Sequence, residues 1–216
     1  MAGFDADALL DCYRQGVFPM ADARREKRLF LVDPVRRGVL PIEAPHISQR
    51  LARTVRSKRF EATADRAFAQ VIAACAAPGP GREETWINSA IESLCLELHH
   101  RGVAHSVEVW REGRLAGGLY GLALGGAFFG ESMFSRERDA SKVALVHLLA
   151  RLASGGFALL DAQFQTEHLA SLGAIEISRA EYRRRLARAL EIEADFRRLP
   201  AQVTGAAALQ AISQRS

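Results

Sequence analysis

Apolar positions in this chain repeat with two different periods, and the switches between them predict its elements. Between Ser89 and Arg101, Ile91, Leu94, Cys95 and Leu98 recur every three or four residues, which gathers them on one face of a helix that Gly102 then stops. From His105 to Trp110 apolar and polar residues alternate singly, as in a half-buried strand. Turn dipeptides at Glu112-Gly113 and Gly125-Gly126 set off Leu115 to Leu124 and Ala127 to Met133, so a three-stranded antiparallel meander is expected. Further helices are predicted over Asp5 to Gln15, Ala64 to Ala77, Asp139 to Ala153, Glu167 to Leu172 and Glu181 to Leu190. Short strands are predicted at Phe60 to Thr63, Leu159 to Phe164 and Ala174 to Ile177.

Glycine and proline divide the chain further. Asp33-Pro34 breaks a short apolar run at Leu29 to Val32, and Val35 to Pro45, with Gly38, Pro41 and Pro45, reads as an extended connector. Pro78 to Gly81 (PGPG) reads as a turned or flexible linker. The alanine-rich stretch from Ala201 to Ser216 lacks a periodic apolar face and is expected to be loosely held. These breaks give a small N-terminal domain over residues 1–45, a main domain over 46–192 and a tail over 193–216. The order helix, meander, helix, strand, helix, strand, helix is an α+β layout with a mixed sheet, close to N-acetyltransferase-like (GNAT-like) folds.

Composition narrows the class. Hydrophobic residues make up 49% of the 216 and charged residues 25%, which places the chain among globular proteins with a substantial core rather than among disordered ones. No apolar run approaches the roughly 20 residues of a membrane span. Asp5, Asp7 and Asp11 stand where a secretory signal would be basic, so a cytoplasmic monomer without a membrane partner is expected. Cys12, Cys75 and Cys95 show no metal-binding spacing, nor do the six histidines, so free thiols and no metal are expected. The net charge of +4 is small but unevenly spread: HISQRLARTVRSKRF, from His46 to Phe60, is a basic helix with no acid. Arg50, Arg53 and Arg56 form a stripe on it, either a solvated face or a set of phosphate contacts.

Three places carry candidate chemistry. The glycine-rich stretch from Gly117 to Gly130 lacks both G-x-G-x-x-G and a Walker lysine, so it reads as hairpin or as a surface that a ligand approaches closely. Glu131 ends an apolar strand, where it either bonds a backbone amide, pairs with Arg136 or Lys142, or captures a substrate ammonium. Asp161 and Gln163 lie two apart on a strand and hence share a face. They either satisfy local backbone groups or form a relay in which the acid orients the amide and the amide receives a proton-bearing nucleophile. No Ser-His-Asp arrangement is supported.

YRQGVFPM, EETWI, HSVEVWR, GGLYG, FFGESMFS, DASKVAL, LLDAQ and EHLASLGA occur in that order, and together they resemble the signature blocks of the leucyl/phenylalanyl-tRNA–protein transferases. The resemblance runs from about Leu9 to about Leu190. It implies a GNAT-like enzyme that moves leucine or phenylalanine from aminoacyl-tRNA to proteins beginning with Lys or Arg, marking them for degradation by the N-degron pathway, without cofactor or metal. It further implies that Asp161 and Gln163 form the catalytic pair and that Glu131 sits beside the aminoacyl group. Leu119, Phe128, Met133, Leu148, Leu152 and Leu160 would line the side-chain pocket, Trp86 and Met20 would flank the terminal adenosine, and Ser135 belongs to the same block. Other members commonly carry tryptophan near Leu31, and some carry it at the place of Met20.

Overall fold

A computed structural model describes residues 4–26, 28–78 and 84–214. Helix α1 (Ala6–Arg14) starts at Asp5, whose carboxylate accepts the Ala8 amide, one of the first-turn donors that no helical carbonyl can reach. Strands β1 (Phe18–Met20) and β2 (Phe30–Val32) pair with each other in a small separate sheet. The chain continues through β3 (Arg36–Val39), α2 (Gln49–Arg56), β4 (Glu61–Ala64), α3 (Phe68–Ala76), α4 (Ser89–His100), β5 (Ala104–Arg111), β6 (Arg114–Leu124) and β7 (Ala127–Ser135). It ends with α5 (Ala140–Gly155), β8 (Leu159–Gln163), α6 (Glu167–Ala170), β9 (Ile175–Ser178), α7 (Arg179–Leu190) and α8 (Gly205–Ser213).

Seven strands form one mixed sheet in the order β4-β5-β6-β7-β8-β3-β9. Only β7 and β8 are parallel, joined through α5, and every other neighbour is antiparallel. Side chains alternate between two cores. Leu115, Tyr120, Leu122 and Phe129 pack with α1, α3, α4 and α7 on one face, while Val107, Val109, Leu119 and Phe128 pack with α2, α5 and α8 on the other. Each Leu, Val or Phe so buried contributes roughly 1.5–3 kcal/mol. Helix α5 is buried on nearly all sides, which explains its weak apolar periodicity. Among the described residues no helix is long and apolar enough to cross a membrane.

Three expectations change. The predicted connector contains β3, which lies inside the main sheet between β8 and β9. Arg-Arg-Gly-Val has no alternation that marks a strand, because Arg37 is a charged residue in a buried slot. The loose tail is instead helix α8: Thr204 caps it by accepting the Ala207 amide, and Ala208 and Ile212, four apart, are buried. Small side chains let it lie close, and a β-carbon on Gly205 would come within 1.8 Å of the Val55 carbonyl oxygen. Upstream, Arg151 ties down Leu199 and Pro200 by donating to both carbonyls. The helix predicted from Ala64 begins only at Phe68, since Ala64 ends β4 and Asp65 turns the chain with φ 59°. Of the PGPG linker, everything after Pro78 lies outside the described residues.

Candidate active site

The parallel pair β7 and β8 holds together over three positions: Ala127 with Leu159, Phe128 with Leu160 and Phe129 with Asp161. Beyond them β7 runs on to Ser135 against β6, and β8 ends beside β3. Between the parted strands lies a cavity of about 440 Å³. It is the position, beyond the carboxyl ends of parallel strands, where open α/β sheets commonly bind ligands. The register of β6 against β7 slips there: Tyr120 opposes Ser132 and Gly121 opposes Gly130, which leaves Glu131 as an extra residue. Such a bulge re-aims a side chain and reverses the alternation beyond it. Phe128 and Met133 accordingly share one core, and Phe129 and Phe134 the other.

Asp161 is fully buried. Its Oδ1 accepts from Arg37 Nε at 2.8 Å and from the Gln163 amide at 2.9 Å, and its Oδ2 accepts from Arg37 Nη2 at 2.6 Å and from the Tyr182 hydroxyl at 2.8 Å. Arg37 also donates to the Gly16 carbonyl and lies over the rings of Phe18 and Tyr182, 4.6 and 4.4 Å from their centroids. A bidentate pair of this kind offsets the desolvation of both charges, and removing one partner leaves the other exposed to that cost. Of the two readings open for the pair, Asp161 thus takes the first as far as its bonds go: it holds the backbone amide of Gln163 and makes no bond to its side-chain amide. Gln163 takes φ 55°, a left-handed conformation that costs roughly 1–2 kcal/mol in a residue other than glycine. Gly38 opposes it, and a β-carbon there would come within 2.7 Å of the Phe164 backbone.

Among the described residues, four buried side-chain polar atoms lack a hydrogen-bond partner: Tyr120 Oη, Glu131 Oε1, Gln163 Nε2 and His168 Nε2. All four residues line the cavity. Burial, reinforced by the negative charge of Asp161, raises the Glu131 pKa to about 8, against the pull of a hydrogen bond with Tyr13 and of the Arg37 charge. Burial and the charge of Lys142 push the His168 imidazole down. Burial pushes the phenols of Tyr13 and Tyr120 well up. Neither cation weighed for Glu131 reaches it through the bonds observed: Arg136 donates to the Leu115 carbonyl and Lys142 to the Ser171 hydroxyl.

The cavity gathers Met20, Trp86, Leu119, Met133, Ser135, Leu148 and Leu160 on the same wall as Glu131, Asp161 and Gln163. The Ser135 hydroxyl is engaged, donating to the Glu137 carbonyl and accepting from the Ser141 amide at the start of α5. Phe128 and Leu152 are not on this wall: both are fully buried, with Phe128 stacked on Phe196 at 5.7 Å. Arg50, on α2, forms a bidentate pair with Asp139, while Arg53 and Arg56 are exposed. Sequence reasoning did not find Arg37, Tyr182 or Tyr13, and it passed over Tyr120 and His168. The signal for the last two stood in the blocks GGLYG and EHLASLGA, whose polar members had no other assignment.

An apolar cavity between parted strands, with unfilled polar atoms on its wall, has the form of a site that could take an apolar group beside hydrogen-bonding partners. Two family models match the chain, Leucyl/phenylalanyl-tRNA protein transferase over residues 39–187 and Leucyl/phenylalanyl-tRNA protein transferase N-terminal domain over residues 3–34. The chain belongs to the leucyl/phenylalanyl-tRNA–protein transferase family, a family of aminoacyltransferases. Relatives of that name include those of Phenylobacterium zucineum (strain HLK1), 65% identical over the whole of both chains, and Maricaulis maris (strain MCS10), 57% identical over the whole of both. That of Caulobacter vibrioides (strain NA1000 / CB15N) is 62% identical over 99% of this chain and 98% of its own.

Proposed function

We propose that this chain transfers leucine or phenylalanine from aminoacyl-tRNA to the N-terminal Lys or Arg of acceptor proteins, forming a peptide bond and marking them for N-degron degradation, on a GNAT-like scaffold. The observation that carries the reading is the coincidence of all four unfilled polar atoms with one apolar cavity. Leu119, Met133, Leu148 and Leu160 offer a wall for a branched or aromatic side chain. An apolar pocket separates side chains differing by one methylene by only about 1–3 kcal/mol, and flexible Met133 suits the acceptance of both. Trp86 and Met20, on the same wall, would flank the terminal adenosine, and a base stacked on Trp86 would gain roughly 1–3 kcal/mol. Arg53 and Arg56, free of the pairing that engages Arg50, are the exposed part of the stripe proposed for tRNA phosphates.

In this reading the aminoacyl ester supplies the activated carbonyl. The acceptor's α-amino group has a reference pKa near 7.7–8.0, so part of it is already neutral at pH 7. Asp161 and Arg37 fix the backbone at Gln163, whose amide oxygen then holds the attacking amine. An acyl-CoA donor fits less well. The amides of Arg136, Glu137 and Ala140 already bond the carbonyls of Ala116 and Glu137, and the Ser141 amide bonds the Ser135 hydroxyl, so most of the donors a pyrophosphate would need before α5 are taken.

The test is to incubate the protein with labelled leucyl-tRNA, or with labelled acetyl-CoA, and a peptide beginning with Arg. Extension of the peptide by leucine supports the reading, and label from acetyl-CoA alone overturns it. Gln163→Ala should then lower turnover about 100- to 1,000-fold with tRNA affinity nearly unchanged. An equal loss in both quantities would remove the role given to Gln163.

A further inference from the structure

The proposed transfer leaves one chemical question open. A carboxamide oxygen can orient an amine but cannot keep its proton, so a basic group must take that proton and an acid must supply one to the departing ribose oxygen. The ionisable residues on the cavity wall are Tyr120, Glu131, Asp161 and His168. Asp161 is committed to Arg37, Tyr182 and the Gln163 amide. Burial keeps the Tyr120 phenol protonated and holds Glu131, with a pKa of about 8, largely in its protonated form near neutral pH. His168 remains.

Its placement is fixed by α6, a single turn that Thr166 caps by accepting the Leu169 amide. The Ser171 hydroxyl closes the turn by donating to the His168 carbonyl, and Lys142 of α5 donates to that hydroxyl. Nε2 is buried and unpartnered on the wall that also carries Gln163. The charge that acts on the imidazole is that of Lys142 from α5; Glu131 from β7 and Asp161 from β8, the latter paired with Arg37, line the same cavity, and Glu167 precedes His168 on α6. Burial and Lys142 favour its neutral, proton-accepting form.

We propose that His168 is a further catalytic residue of the transfer, taking on Nε2 the proton released by the attacking amine and returning it to the ribose oxygen that leaves. The amine lone pair forms the new C–N bond while the carbonyl π pair moves to oxygen. The N–H proton passes to Nε2. The tetrahedral intermediate then collapses, the C–O bond to ribose breaks, and the imidazolium protonates that oxygen. Ester and neutral amine become amide and alcohol, and the imidazole ends as it began. The proposal rests on the aminoacyl-transfer reading.

The experiment measures single-turnover transfer from labelled leucyl-tRNA to a peptide beginning with Arg, from pH 5.5 to 8.5, for wild type, His168→Gln and His168→Ala. Filter binding of the same tRNA and melting temperatures are read in parallel. Both variants should lose about 100-fold in rate with tRNA binding changed less than about twofold. Toward the acid end of that range the wild-type slope of log rate against pH should steepen beyond that of the variants as the imidazole charges, and the variants should stay near about one. A folded His168→Gln with wild-type rate and slope overturns the proposal, as does a rate loss matched by an equal loss of binding. Absence of any transfer by wild type overturns the underlying reading instead, and the proposal with it.

Discussion

Two glutamates in one sheet are treated in opposite ways. Glu108, on β5, is fully shielded, and its oxygens accept from the hydroxyls of Thr63 and Ser106 and from the Ala67 amide. Trp110 in turn donates to Thr63, and the adjoining Asp65 accepts from His105 and from the Ser106 amide. Glu131, two strands away on β7, keeps a shielded oxygen that no neighbour satisfies. The difference separates frame from site. A carboxylate whose acceptors are filled by its own chain stiffens the sheet edge, whereas one kept short of partners beside three other unfilled atoms is set for something that arrives.

The comparison breaks hardest at Arg37, where frame and site meet. Arg37→Met strands the buried Asp161 carboxylate and should cost about 3–5 kcal/mol, read from urea unfolding midpoints. Adding Asp161→Leu should restore much of that stability and none of the transfer. Recovery of transfer in the double variant would show that the pair is only structural. Glu108→Ala comes next: two hydroxyls lose their acceptor, which should cost roughly 1–3 kcal/mol, while turnover per folded molecule stays within about twofold of wild type. If turnover falls as it does for Gln163→Ala, the division between frame and site fails.

Glu131 gives a finer test through pH. Its folded pKa of about 8 lies above the ordinary 4.5, so the folded state binds that proton more tightly than the unfolded state does. The contribution is complete below about pH 4.5 and is lost as pH rises toward 8, at up to about 1.4 kcal/mol per unit. Glu131→Gln removes the loss. Its melting temperature should gain on wild type between pH 5 and pH 8.5, and parallel curves would mean that the Glu131 charge is already solvated. The smallest effect is expected on α2. Arg53→Glu with Arg56→Glu should weaken tRNA binding by a factor that shrinks as salt is raised, and unchanged binding would return the stripe to a solvated face.

Elements built on local signals were readable in advance. The meander, α4 and β8 followed from period and turn dipeptides, because their instructions lie within a dozen residues. What escaped notice was set by long-range pairing. Arg37 is 124 residues from Asp161, in a segment whose prolines and glycine suggest a connector, and no spacing rule links the two. Helix α8 was hidden by alanines, whose burial depends on how closely Val55 approaches. Phe128, which the resemblance places on the pocket wall, shares a core with Met133 but is packed beneath that wall against Phe196, a partner 68 positions further along that no local pattern announces. Asp161 and Gln163 were recognised as a unit, while what the acid holds, a backbone amide, follows from the left-handed turn at Gln163.

That left-handed turn bears on how portable the site is. Asp-x-Gln looks like a three-residue cassette that could be moved onto another strand. Here it functions as one corner of an assembly: Arg37 neutralises the acid, Tyr182 fills its second oxygen, and Gly38 leaves room for the chain to turn away at Phe164. A transplant would have to bring segments from β3, β8 and α7 together. A host lacking any one of them would receive the letters of the motif and none of its geometry.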